Sequence, residues 1–145
     1  MADFKQDLLF SQGQEKKLIE RFGNLQANRV DRAGDLLLIS TGERVEVKND
    51  RYDPRSFKNF IFEKHRSNVN DKGGPWQAEE HNCKYFLYHY TETNQVYLFD
   101  TIQLCRFLEG IEDFLPMHYF NKTGFYKVDR SLVKHLFLKL EILNG

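Results

Sequence analysis

Residues 35–48 read Asp-Leu-Leu-Leu-Ile-Ser-Thr-Gly-Glu-Arg-Val-Glu-Val-Lys, an apolar run, a polar stretch and then an alternation of polar and apolar positions. Two apolar runs flank Ser-Thr-Gly-Glu, a composition typical of a turn between strands. We therefore predict a β-hairpin with strands at 35–39 and 44–48. Side chains of a strand alternate between its two faces, so one face of this hairpin is apolar and carries Leu36, Leu38, Val45 and Val47.

The opposite face of the hairpin carries charged side chains. A turn centred on residues 40–43 pairs the strands in one register: Ile39 with Arg44, Leu37 with Glu46, and Asp35 with Lys48. Direct and diagonal neighbours across two strands lie close enough to interact. We therefore expect Asp35, Glu46 and Lys48 to meet at one end of the hairpin.

The remaining pattern predicts helices on both sides of further strands. The predicted elements are a helix at 13–22 that begins after Gly13, strands at 25–30, 57–62, 85–90, 95–100 and 125–128, a helix at 101–109 capped by Asp100 or Thr101, and a last helix from Asp129 to Leu136. Residues 66–76, rich in Asn and Gly, are predicted to form a loop. This order predicts an α/β fold with a mixed, mostly antiparallel central sheet and flanking helices.

Length and composition agree with one globular domain spanning residues 1–145. Hydrophobic residues make up 41% of the chain and charged residues 29%, while 13 Phe and seven Tyr predict a core built partly from aromatic rings. The formal net charge is zero, so a nucleic-acid partner has to be met by a local basic patch.

Cysteine content and hydropathy bear on location. Cys83 and Cys105 have no disulfide or metal spacing and are interpreted as reduced thiols, and His81 with Cys83 lacks the partner pair of a zinc site. No signal-like or membrane-spanning apolar run is visible. We expect a cytoplasmic protein without membrane contact, in the host cytoplasm if it is phage-encoded.

The charged face of the hairpin has the chemistry of a cation and phosphate site. Two close carboxylates, Asp35 and Glu46, repel each other unless a cation lies between them, and Mg²⁺ accepts such ligands together with a carbonyl oxygen such as that of Val47. Lys48 beside the metal can orient the attacking water and offset charge in phosphodiester hydrolysis. The alternative is an ordinary exposed hairpin face of paired charges. Asp31 is a rival acid, but it lies about 13 Å further along an extended strand.

An Asp, a spacer of about ten residues and then Glu-x-Lys across a hairpin resemble the PD-(D/E)XK nuclease superfamily. The resemblance implies an α-β-β-β-α-β core and Mg²⁺ or Mn²⁺ as cofactor, with Asp35 and Glu46 as metal ligands and Lys48 as the catalytic lysine. Gly34 stands where many members have Pro.

Resolvase-like members of this superfamily also place a Glu on the first helix. Gln14-Glu15 after Gly13 is similar to their opening motif, so Glu15 is the predicted fourth catalytic residue, with Glu20 in reserve. Either acid could instead be a surface charge of the helix. A weaker likeness to small phage-encoded members covers Asn59 to Glu63, Gly74 to Trp76, and Lys84-Tyr85.

A local basic excess follows the hairpin. Residues 48–72 contain seven Lys or Arg and four acids, and the predicted contacts to DNA are Arg51, Arg55, Lys58, Lys64, Arg66 and Lys72. Tyr52, Phe57 and Trp76 could stack on unpaired bases, although Trp76 is better explained as an anchor of its loop. The alternative is that these lysines are solvated and residues 57–62 belong to the core.

These features together predict a small Mg²⁺-dependent DNA endonuclease that acts on branched or structured DNA. A homodimer is one option, because two cuts need two active sites. The alternative is a catalytically inactive module that binds nucleic acid or protein on the same scaffold. A third reading is a structural or host-interaction protein whose hairpin charges are incidental. The pattern leaves substrate shape, DNA versus RNA, and pathway open.

Overall fold

A computed structural model describes residues 4–29, 34–65 and 71–145 of the chain. Its α-helices are α1 (Phe4–Arg21), α2 (Gly74–Glu80) and α3 (Thr101–Ile111). Its strands are β1 (Leu25–Ala27), β2 (Leu36–Leu38), β3 (Arg44–Asp50), β4 (Asn59–His65), β5 (Tyr85–Tyr90), β6 (Gln95–Asp100), β7 (His118–Phe120) and β8 (Thr123–Asp129). Short 3₁₀ helices span Glu112–Phe114, Arg130–Leu136 and Leu140–Leu143.

The strands form two sheets. The five-stranded central sheet has the order β1-β2-β3-β5-β6, in which β3 and β5 are parallel and every other pair is antiparallel. The smaller sheet has the order β4-β8-β7 and is antiparallel. A parallel pair needs a long crossover, and β4 with α2 supplies the one between β3 and β5. The mixed α/β fold is therefore confirmed, with β4 inserted into the α-β-β-β-α-β order.

Helix α1 covers one face of the central sheet. The core between them contains Leu18 and Phe22 of the helix, packed with the predicted apolar hairpin residues Leu36, Leu38 and Val45. These three strand side chains are at most 2% exposed, and Val47 packs against the same cluster while remaining partly exposed. Removing such area from water is the main stabilising term for the helix-on-sheet contact.

An aromatic core joins the two sheets on the other face. Phe60 and Phe62 of β4 contact the rings of Tyr88 and Phe99, with ring centroids between 4.6 and 6.1 Å apart. Trp76 of α2 is 7% exposed and belongs to this cluster, as expected for a loop anchor. The prediction of a core rich in aromatic rings is confirmed.

The predicted hairpin register was wrong by two residues. Leu37 pairs with Arg44 and Leu36 with Val45, so the connecting loop includes Ile39. The reason lies outside the hairpin, because Asn24 captures the loop: its carbonyl accepts from Ile39 N–H at 2.7 Å and its Oδ1 from Ser40 N–H at 2.8 Å. A shift of two residues preserves the faces, so the apolar and charged sides are as predicted.

Helix boundaries also differ from the predictions. Helix α1 begins at Phe4 and runs through Gly13, where solvent surrounds the backbone and nothing opposes continuation. Helix α2 was missed, since the Gly-rich stretch before it suggested only a loop; Pro75 in its first turn is compatible with a helix start.

Two predicted caps are confirmed. Asp100 accepts a hydrogen bond from Gln103 N–H at the start of α3, and Asp129 accepts one from Ser131 N–H. The segment after Asp129 is a 3₁₀ helix rather than the predicted α-helix. No helix among residues 4–29, 34–65 and 71–145 is long and apolar enough to span a bilayer.

Candidate active site

Strand β3 presents Glu46 and Lys48 to a small cavity between the two sheets. The parallel register places Glu46 beside Phe86 and Lys48 beside Tyr88 of β5. The cavity has a volume of about 140 Å³ and is lined by Glu46, Val47, Lys48, Ile61, Glu63, Gly74, Gln77 and Phe86. Strands β3, β4 and β5 and helix α2 therefore build its walls.

Asp35 reaches this strand from the residue just before β2. Its Oδ2 accepts a hydrogen bond from Val47 N–H at 2.9 Å, and its own N–H donates to the carbonyl of Val45 at 3.1 Å. The register that pairs Leu36 with Val45 brings Asp35 opposite Glu46, and the Glu46 side chain lowers the pKa of Asp35. The two acids that the hairpin was predicted to bring together do meet.

The electrostatics of this pair follow from its burial. Removal from water is the largest cause and raises the pKa of Asp35, while the Val47 N–H, the hydrogen bond to Glu46 and the charge of His81 act in the opposite direction. Two ionised carboxylates in hydrogen-bonding contact repel each other, so the pair must share a proton or bind a cation.

Helix α1 brings Glu15 to the same place. Its pKa is raised to about 7, first by burial and then by the negative charge of Asp35. Glu20, the reserve candidate, instead lines a surface groove with Lys17, Arg21 and His89. Of the two candidate acids, Glu15 is the one whose pKa responds to the charge of Asp35.

Lys48 forms an ion pair with Glu63 of β4. Lys48 Nζ lies 3.4 Å from Glu63 Oε1, and both side chains are 29% exposed. The predicted cross-strand position opposite Asp35 was wrong, because the register shift leaves Lys48 further along β3. Glu63 was not predicted as a site residue, although it ends the stretch Asn59 to Glu63 in which the sequence resembles small phage-encoded nucleases.

Cys83 and Gly34 lie next to the Asp35–Glu46 pair. Cys83 Sγ lies 3.9 Å from Glu46 Oε2, and a Cβ added to Gly34 would lie 2.8 Å from that sulfur. The backbone of Gly34 has φ of +88°, whereas a proline ring holds φ near −65°. This backbone therefore requires glycine at position 34 and excludes proline there.

The donors available for a cation are two carboxylates and a carbonyl. Among the residues that the structure describes, no group of three or more His, Cys, Asp or Glu side chains is arranged around one point as metal ligands. Mg²⁺ needs only one or two protein carboxylates and fills its other positions with water and substrate. The N–H and carbonyl of a strand residue point to the same edge, so the Val47 carbonyl lies on the edge that faces Asp35. The donor set fits Mg²⁺.

The predicted DNA-contacting residues have varied surroundings. Arg51 lies beside the site, since it lines a groove of about 380 Å³ with Lys48, Tyr52 and Ile61, and its guanidinium stacks 3.9 Å from the centre of the Phe10 ring. Three others form ion pairs, with N–O distances in parentheses: Arg55 with Asp53 (2.8 Å), Lys58 with Asp129 (3.4 Å) and Lys64 with Glu112 (2.6 Å). Lys72 is exposed, while Arg66 and the rival acid Asp31 lie outside the described residues.

The aromatic residues near the basic segment contact other side chains of the protein, although Tyr52 is 55% exposed. Tyr52 and Phe57 stack on each other with ring centroids 4.7 Å apart. The indole Nε1–H of Trp76 donates to Glu109 Oε1 at 3.3 Å, which ties α2 to α3 and confirms its anchoring role.

Asp50 lies buried at the end of β3. It is only 5% exposed and accepts hydrogen bonds from the Tyr88 hydroxyl and from Tyr52 N–H. The Tyr88 oxygen in turn accepts from Ile61 N–H at 2.9 Å. Asp50 therefore belongs to a buried link between the sheets.

Comparison with protein-family models gives no match, and comparison with curated proteins gives none either. Among solved structures, the chain is similar to a nuclease from a fusselovirus, with a TM-score of 0.45 and 13% sequence identity over 97% of this chain and 83% of the viral one. A likeness of this size identifies neither a family nor a function.

Proposed function

We propose that this protein is a metal-dependent nuclease that hydrolyses phosphodiester bonds in DNA. The observation that carries the proposal is the partly buried Asp35–Glu46 carboxyl pair, which lies across the hairpin and is bordered by a lysine. Such a pair is unfavourable in the absence of a proton or cation, which is the property expected of a binding site for a hard divalent ion.

Asp35, Glu46 and the Val47 carbonyl are the proposed ligands of Mg²⁺ or Mn²⁺. When bound, the ion polarises the scissile phosphate and lowers the pKa of a coordinated water. The Val47 N–H orients one oxygen of Asp35, Oδ2, and so holds this carboxylate in place for the role.

Lys48 and Glu15 are the proposed proton-handling and charge-stabilising groups. The ammonium of Lys48 lines the cavity and can offset negative charge that develops on the phosphate, while Glu63 holds it in place. Glu15, with a pKa of about 7, exists in both protonation states near neutral pH and can accept a proton from an attacking water.

A cleavage assay with matched variants tests the proposal. Supercoiled plasmid and a four-way junction are incubated with protein and Mg²⁺ or Mn²⁺, with EDTA as the metal-free control. We expect cutting by the unchanged protein and a loss of about 100-fold or more in Asp35→Asn and Lys48→Ala. Lys84→Ala is the control, since Lys84 is also paired with an acid, Asp100 at 2.6 Å, but lies outside the cavity.

Metal binding supplies a second readout that does not depend on cutting. Mg²⁺ at 100 times its dissociation constant should stabilise the unchanged protein by about 2.7 kcal/mol, and Asp35→Asn or Glu46→Gln should abolish the shift. Equal cutting by all variants would indicate a contaminating nuclease. Binding of DNA without cutting would show the inactive binding module instead.

A further inference from the structure

The smaller sheet has one buried and one open face. Its buried face carries Phe60, Phe62, Tyr126 and Val128, which are at most 4% exposed. Residues paired across strands share a face, so the strand register assigns the opposite face to Ile61, Glu63, Phe125, Lys127, His118 and Phe120. We call these six residues the outer face.

The outer face is continuous with the candidate active site. Glu63, which pairs with Lys48 in the cavity, lies opposite Phe125 of β8, and Phe125 lies opposite His118 of β7. Adjacent strands are about 4.8 Å apart, so this row leads about 10 Å away from the cavity edge. A polymer bound in the cavity would meet the outer face next.

Aromatic rings occupy the part of the outer face that lies furthest from the cavity. Phe125 and His118 stack with ring centroids 5.6 Å apart and an interplanar angle of 23°. Phe125 is partly exposed and is absent from both core clusters. Phe120 is 71% exposed, at the end of the tight turn formed by Asn121 and Lys122.

The charge of the outer face suits a polyanion. Its acid Glu63 and the neighbouring Asp129 at its border are each 3.4 Å from a lysine ammonium, that of Lys48 and of Lys58. Lys127 of the outer face is exposed, as is Lys122 in the adjoining turn. The acids are thus compensated and the remaining charge is positive.

We propose that the outer face stacks the unpaired bases of a single nucleic-acid strand that enters the candidate active site. This inference rests on the proposed function, because the cavity would hold the strand's phosphate. Aromatic side chains on an open sheet stack on bases of any sequence, and a nearby lysine contacts the backbone. Bases inside a duplex are already stacked on one another, so a duplex offers this row fewer ring faces.

Fluorescence anisotropy in EDTA tests binding without cleavage. The probes are labelled oligo(dT), oligo(U) and a duplex of equal length. We expect the two single strands to bind more tightly than the duplex, and the tighter of the two identifies the polymer. Base stacking contributes about 1–3 kcal/mol per base, so Phe120→Ala should weaken single-strand binding by about tenfold.

Tyr119→Ala is the matched control. Tyr119 is adjacent to Phe120 and 69% exposed, but it pairs with Gly124 and belongs to the opposite face. Its replacement should change binding by less than about twofold. Phe125→Leu, which keeps an apolar side chain but removes the ring, should weaken binding as Phe120→Ala does, and thermal melting verifies that each variant is folded.

The outcomes separate this inference from the proposed function. Equal effects of Phe120→Ala and Tyr119→Ala, or duplex binding as tight as single-strand binding, would overturn the stacking surface even if metal-dependent cutting is observed. A change in self-association of Phe120→Ala with unchanged nucleic-acid binding would also overturn it. Single-strand binding lost only in Phe120→Ala and Phe125→Leu supports it, including in a protein that does not cut.

Discussion

At the scale of single residues, the candidate site is a cluster of acids that is unfavourable in the metal-free protein. Burial raises the pKa of Asp35 and raises that of Glu15 to about 7. Both groups are therefore easier to protonate in the folded chain than in the unfolded chain. Under the proposed function, stability and metal binding oppose each other, because the same crowding that disfavours ionised carboxylates would attract a cation.

This crowding makes stability depend on pH. A carboxyl whose pKa is raised by folding binds more protons in the native state, so its contribution is present below the unfolded value of 4.5 and is lost as the pH rises through about 7. We expect the free energy of unfolding, measured with urea in EDTA, to fall across this window. Glu15→Gln should flatten the fall, whereas Glu20→Gln on the same helix should leave it unchanged. An identical pH profile for both variants would contradict the coupling of Glu15 to Asp35.

Gly34 is a second residue whose role is defined by backbone geometry. Gly34→Ala should destabilise the protein for two reasons. Its φ of +88° is unfavourable for alanine, and the added Cβ would lie 2.8 Å from Cys83 Sγ. The positive φ costs about 1–2 kcal/mol, and overpacking adds about 1–3 kcal/mol.

Gly42→Ala separates these two effects. Gly42 has φ of +74° but no atom within 4 Å of an added Cβ, so its replacement introduces backbone strain alone. Denaturant unfolding of both variants should show the larger loss for Gly34→Ala. Equal losses would mean that the contact between Gly34 and Cys83 imposes no constraint.

At the scale of elements, local sequence patterns located most strands. The extent of α1 and the existence of α2 were not evident from local patterns. Strands at 85–90 and 95–100 match β5 and β6 because alternation and a turn define both ends. Helix α2 was missed because only burial of Trp76 and Ala78 against the core stabilises its seven residues. The turn of the hairpin was misplaced because Asn24, a residue from another element, holds its loop.

Helix α1 supplies a prediction at this scale. It continues through Gly13, where an added Cβ would have nothing within 4 Å. Gly13→Ala should therefore raise the free energy of unfolding by about 0.5–1 kcal/mol, since Gly weakens a helix interior by that amount relative to Ala. Urea unfolding measures the change. A loss of stability would indicate that the helix is broken at this residue, as the sequence pattern first indicated.

At the scale of the whole molecule, the site exists because two sheets are joined beside β3. The buried Tyr88 hydroxyl donates to Asp50 and accepts from Ile61 N–H, which links β5, β3 and β4. Burial, followed by the charge of Asp50, raises the pKa of Tyr88 well above its ordinary value, so the hydroxyl keeps its proton. This link holds Glu63 next to Lys48.

Tyr88→Phe tests the joint between the sheets. It leaves the Asp50 carboxyl and the Ile61 N–H without this partner, and an unsatisfied buried polar group costs about 1–3 kcal/mol. Tyr97→Phe is the control, because the Tyr97 hydroxyl donates to Gln95 at an exposed position, and its loss should stay within about 0.5 kcal/mol. Chemical denaturation compares the two. Similar small losses would show that the aromatic packing alone joins the sheets.

The homodimer remains a prediction at this scale.

The sequence alone determined which residues share a face. Period-two alternation in 35–48 sets Asp35, Glu46 and Lys48 apart from the apolar side chains, and a shift of two residues in register leaves that division intact. The sequence also located the caps Asp100 and Asp129. A cap accepts a hydrogen bond from a backbone N–H only two or three residues away, so it depends on local sequence alone.

Only the tertiary structure decided which elements meet at the site. It paired Lys48 with Glu63 of β4 and buried Asp50 under Tyr88. These contacts join segments far apart in the chain, and they form where packing of the two cores is best. Spacing along the sequence defines the faces of each element, whereas burial of those faces against one another defines the neighbours.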